Sequence, residues 1–99
     1  MRMKRLFVSQ PMNGRSTNEI AKERSKIAEE FAGEYAIADS FFDYTVVEGT
    51  SDPLYKLGNA LEVMAGCDAA YFAPGWEKAR GCLVEHMAAE LYDVPILAD

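Results

Sequence analysis

Apolar and polar positions along this chain change their spacing several times, and each change marks an element. Leu6, Phe7 and Val8 form a short apolar centre within Lys4 to Ser9 that stops at Pro11, the pattern of a buried strand. Pro11, Asn13 and Gly14 are turn formers, and Ser16-Thr17-Asn18-Glu19 is a capping box, hydroxyl first and carboxylate three residues on. From there to about Tyr35, Ile20, Ile27, Ala28 and Phe31 recur at helical spacing, with Glu19, Lys22, Lys26, Glu29 and Glu30 outside. Arg24 borders this stripe, its stem expected to pack and its head to reach water. Ala36 to Asp39 reads as a second strand. Phe41, Phe42, Tyr44, Val46 and Val47 then follow no period, broken by Asp43 and Glu48. Ser40 to Ser51 is therefore expected to be a long loop, of the kind that often carries function.

Ser51-Asp52-Pro53 opens the next helix, a capping side chain ahead of proline at the first helical position. Leu54, Leu57, Leu61 and Met64 step by three and four along its core face. Asp68 to Ala73 is a third strand, stopped by Pro74-Gly75. Ala79 to Leu91 is a third helix, expected to turn Leu83, Val84, Met87, Ala88 and Leu91 inward. Val94 to Leu97 is a fourth strand, and Pro95 assigns it to a sheet edge. Strands alternating with helices predict an α/β fold with right-handed crossovers and a parallel sheet covered on both faces. The expected strand order is 2-1-3-4, with its switch point between the first and third strands. Ligands of such sheets bind in that crevice, at the carboxyl ends of the strands. Gln10 to Arg15, Asp39 onward and Pro74 to Gly81 converge there.

Composition narrows the possibilities. Ninety-nine residues make one domain, 1–99, short enough that a homo-oligomer is expected to cover leftover apolar surface. The net charge of -6 opposes a nucleic-acid polymer as partner. No apolar run reaches membrane-spanning length and no leader is evident, so a cytoplasmic protein with reduced thiols is expected. His86 is the one histidine, and Cys67 and Cys82 lack metal-ligand spacing, which argues against a metal site.

Two segments carry candidate chemistry. The loop Ser9-Gln10-Pro11-Met12-Asn13-Gly14-Arg15 runs into a helix start, where free amides, the helix dipole and Arg15 suit a phosphate or carboxylate. The same residues also suit a plain strand-to-helix turn, and they match neither the dinucleotide fingerprint nor the P-loop. In the second segment, Gly75 and Gly81 permit close backbone approach, and Trp76 offers a flat face to a base or sugar. Glu85 borders the apolar stripe beside Gly81, Ala88 and Ala89, and reads either as a solvated helix residue or as a carboxylate facing a partly dry cleft, held by donors such as Arg80. His86 is expected to point toward solvent, and Cys67 and Cys82 to be buried small residues. Asp39 and Ser40 stand at the ligand end of the second strand. Asp68 stands at the opposite end of the third, as a structural residue.

Taken together, Phe7-Val8-Ser9-Gln10-Pro11-Met12-Asn13-Gly14-Arg15, Ala65-Gly66-Cys67-Asp68, the strand Ala69 to Ala73 and Gly81-Cys82-Leu83-Val84-Glu85-His86-Met87-Ala88 resemble the nucleoside 2-deoxyribosyltransferase superfamily. That superfamily of flavodoxin-like, three-layer domains includes the deoxynucleoside 5'-monophosphate N-glycosidases. Ser-Gln-Pro-Met and Gly-Trp-Glu-x-x-Arg-Gly resemble a compact branch found in phage and bacterial genomes. The resemblance implies that Glu85 is the nucleophile of a retaining displacement at the anomeric carbon of a nucleoside or nucleotide. It implies that Ser9, Gly14 and Arg15 hold a 5'-phosphate or sugar hydroxyls and that Trp76 flanks the base. Gln10, Met12, Asp39, Ser40, Glu77, Arg80 and Gly81 complete the substrate-binding set, with no metal or organic cofactor. The family's aspartate in the helix before the third strand has no counterpart in Gly58-Asn59-Ala60-Leu61, so Asp39, Glu77 or an acid of the long loop would replace it. The family's opening tyrosine is likewise missing from Leu6-Phe7-Val8. Three readings follow: a nucleotide N-glycosidase or deoxyribosyltransferase, a catalytically silent nucleotide binder, and an interaction protein with a vestigial site.

Overall fold

Seven regular elements follow one another in the computed structural model, which describes residues 3–38 and 52–97. They are β1 (Lys4–Ser9), α1 (Thr17–Phe31), β2 (Tyr35–Ile37), α2 (Asp52–Ala65), β3 (Ala69–Phe72), α3 (Arg80–Leu91) and β4 (Ile96–Leu97). A 3-10 turn, Trp76–Lys78, leads into α3; nothing in the sequence pattern announces it. All strand pairs are parallel and the order is β2-β1-β3-β4, as the alternation of elements predicts. β4 lies at the edge, and the carbonyl of Pro95 accepts from the Ala70 amide at 2.8 Å. Asp39, Ser40, the aromatic stretch from Phe41 to Val47 and Ser51 lie outside the described residues.

Alternation along the two central strands divides the core. Leu6 and Val8 of β1 with Ala69, Tyr71 and Ala73 meet Ile27 and Phe31 of α1 on one face. Phe7, Ala70 and Phe72 point to the other face, where Met64 of α2 and Ala89 of α3 cover them. Period-two side-chain alternation thus converts two apolar runs into two packed layers, and the fold is a three-layer α/β sandwich. Asp68 is structural: its Oδ2 accepts from the Arg5 amide at 2.7 Å while its own amide donates to the Arg5 carbonyl at 2.9 Å.

At the start of α1, Ser16 Oγ accepts from the Glu19 amide at 3.1 Å, the predicted cap. Arg24 departs from expectation. Its head does not end in water but donates to the Ala38 carbonyl at 2.9 Å and reaches Gln10 Oε1 at 3.5 Å. The carbonyl of the buried Ala38, just beyond β2, needs a donor, and a long guanidinium at the edge of the stripe supplies one.

The inward face of α3 is also corrected. Cys82, Glu85 and Ala89 are its buried residues, whereas Leu83, Val84, Met87 and Leu91 are 43%, 44%, 61% and 71% exposed. Both sides of this helix are apolar, so spacing alone cannot choose between them. Close approach to the sheet selects the side with the small Cys82 and Ala89.

Candidate functional site

Ser9 and Gln10 leave the carboxyl end of β1 buried, at 3% and 6% exposure. Beside them opens a cleft of about 740 Å³, a size suited to a small organic ligand. Its walls are Phe7 to Gln10 of the first strand, Met12 and Asn13 of the loop, Pro53 to Ala60 along one stripe of α2, and the first turns of α3. The location is the switch point between β1 and β3.

Glu85 forms the floor. It is 9% exposed, and its Oε1 accepts a 2.6 Å hydrogen bond from the Ser9 hydroxyl. Burial pushes this carboxyl above the ordinary glutamate range, and the Ser9 bond offsets part of that rise. Cys82 lies one turn earlier on the same face, in hydrogen-bonding contact with Ser9, and burial pushes its thiol up as well. The expected donor Arg80 lines the cleft, yet among the described residues the bonding partner of Glu85 is Ser9.

Of the candidate residues, Ser9, Gln10, Met12, Arg80, Gly81 and Glu85 come together around this space. A Cβ placed on Gly81 would meet nothing within 4 Å, so the cleft is open there. Gln10 contributes backbone rather than amide to it: its Nε2 donates to the Ile20 carbonyl and to Glu23 Oε1, both at 3.0 Å. Arg15 is committed in the same direction, donating to the Pro11 carbonyl at 2.9 Å and to Glu23 at 3.0 Å. These bonds clamp the loop to α1, and Gly14, at φ 72°, supplies the left-handed turn the clamp needs.

Trp76 and Glu77 do not line the cleft. Trp76 packs on Phe72, and one face of its indole is covered by His86, stacked at 3.9 Å with an interplanar angle of 6°. His86 is thus no solvent-facing bystander: it is partly buried between Trp76 and Phe72, and its Nδ1 lies 3.0 Å from Glu90. Gly75, at φ 90°, allows the sharp turn that brings Trp76 back onto the sheet.

Leu54 and Leu57, expected on the core face of α2, line the cleft instead, Leu54 at 66% exposure, and Lys56, given no role by the sequence, joins them with Ala60. Their signal is the stripe Pro53, Lys56, Leu57, Ala60, at steps of three, one and three, which runs beside the core stripe of Leu61 and Met64. Ala60 presents a methyl group to the cleft. Its neighbour Asn59 does not line the cleft, and its Nδ2 is buried without a hydrogen-bond partner. Among the described residues, Glu85 is the one carboxyl group on the cleft wall, and no group of His, Cys, Asp or Glu could hold a metal ion. None of the described helices is long and apolar enough to cross a membrane. No protein-family model matches the chain, and no curated protein matches it in sequence.

Proposed function

We propose that this protein breaks the N-glycosidic bond of a nucleoside or nucleotide, by hydrolysis or by transfer to a second base, with Glu85 as nucleophile. The observation that carries this reading is a carboxylate 9% exposed at the floor of a ligand-sized cleft, fixed by one short bond from Ser9. Structural acids are rarely this buried without a cationic partner, and perturbed acids in clefts cluster at functional sites. The resemblance of this segment to the nucleoside 2-deoxyribosyltransferases supports the same assignment.

In the first step a Glu85 oxygen bonds to the anomeric carbon while the bond from that carbon to the base nitrogen breaks. The electron pair leaves with the base, which takes a proton from water. In the second step water, or another base, attacks the same carbon, and the pair of the ester bond returns to the carboxylate. The carboxylate also opposes the positive charge that develops on the sugar. Arg80 and Lys56, both on the cleft wall, supply positive charge toward an anionic substrate such as a 5'-monophosphate.

The test is a panel of nucleosides and 5'-monophosphates, ribo and deoxy, with free base measured by chromatography. Base release by the wild type that falls about 10³-fold or more in Glu85→Ala supports the reading. The methyl group of Ala60 favours a second reading, a catalytically silent nucleotide binder. Nucleotides would then raise the melting temperature with no base released.

A second copy of this chain is the partner we assign to the outward face of α3. Pairing two such helices antiparallel about Met87 sets Leu83 against Leu91 of the other copy, so the apolar positions match. The free thiols Cys67 and Cys82 fit a reducing compartment, and the cytoplasm is the place we assign to the reaction.

A further inference from the structure

We infer that Ser9 is a positioning residue for Glu85 rather than a contact for substrate. The inference rests on the glycosidic reading above and assigns this hydroxyl a different task from phosphate binding. Ser9 is 3% exposed, and its backbone is held in the ladder: its Cα pairs with Phe72 and its carbonyl accepts from the Ala73 amide at 2.9 Å. A hydroxyl has one proton to give, and here it goes to Glu85 Oε1 at 2.6 Å. Cys82, one turn earlier on α3, lies in hydrogen-bonding contact with the same hydroxyl. α3 thus presents two buried side chains, three residues apart, to one hydroxyl at the end of β1.

The arrangement has a chemical consequence. With Oε1 held by Ser9, Oε2 is the oxygen that bonds to the anomeric carbon. In the second step the ester bond through Oε2 breaks, and its electron pair spreads onto an oxygen that already has a donor. Ser9 therefore keeps Glu85 ionised and oriented for attack and assists its departure, without touching the sugar. A serine that held a phosphate would do neither, and its loss would weaken binding instead.

Ser9→Ala and Ser9→Thr separate these roles when two quantities are measured. One is the titration of the Glu85 carboxyl carbon by NMR, which needs no turnover. The other is the pH profile of base release from the best 5'-monophosphate, resolved into kcat and KM. In Ser9→Ala the Glu85 midpoint is expected to move to higher pH, with the acidic limb of the profile moving with it. kcat should fall about tenfold to a hundredfold with KM little changed. Ser9→Thr, which keeps the hydroxyl, should restore the midpoint and the limb. An unchanged Glu85 midpoint in Ser9→Ala would overturn the inference, as would a raised KM at preserved kcat. Absence of base release by the wild type would instead overturn the glycosidic reading. The carboxyl titration would then decide by itself whether Ser9 governs the charge of Glu85.

Discussion

Glu85 carries a stability cost along with its proposed task. Burial raises its pKa, so the folded protein holds this proton more tightly than the unfolded chain does. The stabilising contribution of that preference is fully present below the ordinary glutamate pKa and is lost as pH rises through the raised value. Glu85→Gln keeps the shape without the charge and is therefore expected to melt higher than wild type at neutral pH. That advantage should shrink toward zero as the pH falls below the ordinary glutamate range, and melting curves across pH check the sign. A variant less stable than wild type at neutral pH would contradict it. Ala60 makes the complementary prediction. The described cleft wall carries no acid to protonate a departing base, and general acid assistance is worth about 10²- to 10⁴-fold. Ala60→Asp is expected to raise base release by about 10²-fold, with the gain greatest for the poorest leaving bases. A gain equal for all bases would argue against acid assistance.

At the scale of elements, the loop after β1 is held by Gln10, Arg15, Glu23 and Arg24 rather than left open for an anion. Arg24→Ala removes the donor to the Ala38 carbonyl, which lies at 4% exposure with its residue, and should cost about 1–3 kcal/mol by denaturant unfolding. Ser16→Ala removes the cap of α1 at about 1 kcal/mol. How far such features could be foreseen depends on the element. α1 was legible because its charged and apolar residues occupy opposite sides, and Asp68 because it stands at the end of β3 away from the ligand. α3 was not, because Leu83, Val84, Met87 and Leu91 mimic a core stripe while Cys82, Glu85 and Ala89 form the real one. The Ser9–Glu85 bond spans 76 residues, and only strand order and helix rotation together create it. Glu85 and Ser9 could each be singled out in the sequence, but the bond between them could not.

For the whole molecule, the strand order, and with it the place of the cleft, followed from the alternation of elements, because parallel crossovers leave few alternatives. What alternation cannot show is the second apolar side of α3, on which the proposed dimer depends. Met87→Glu should convert that dimer to monomer by sedimentation with folding intact, and a wild type that is monomeric at all concentrations would contradict the pairing.

The central claim is that Glu85 forms a bond to the sugar. Its most direct test is peptide mass spectrometry after incubation with a 2-deoxy-2-fluoro nucleoside 5'-monophosphate, whose fluorine destabilises both positively charged transition states and lets the ester accumulate where its breakdown is the slower step. A fluoropentosyl ester is expected on the peptide containing Glu85, absent from Glu85→Gln. Base released with no ester on Glu85, or an ester on another carboxyl group, would contradict it.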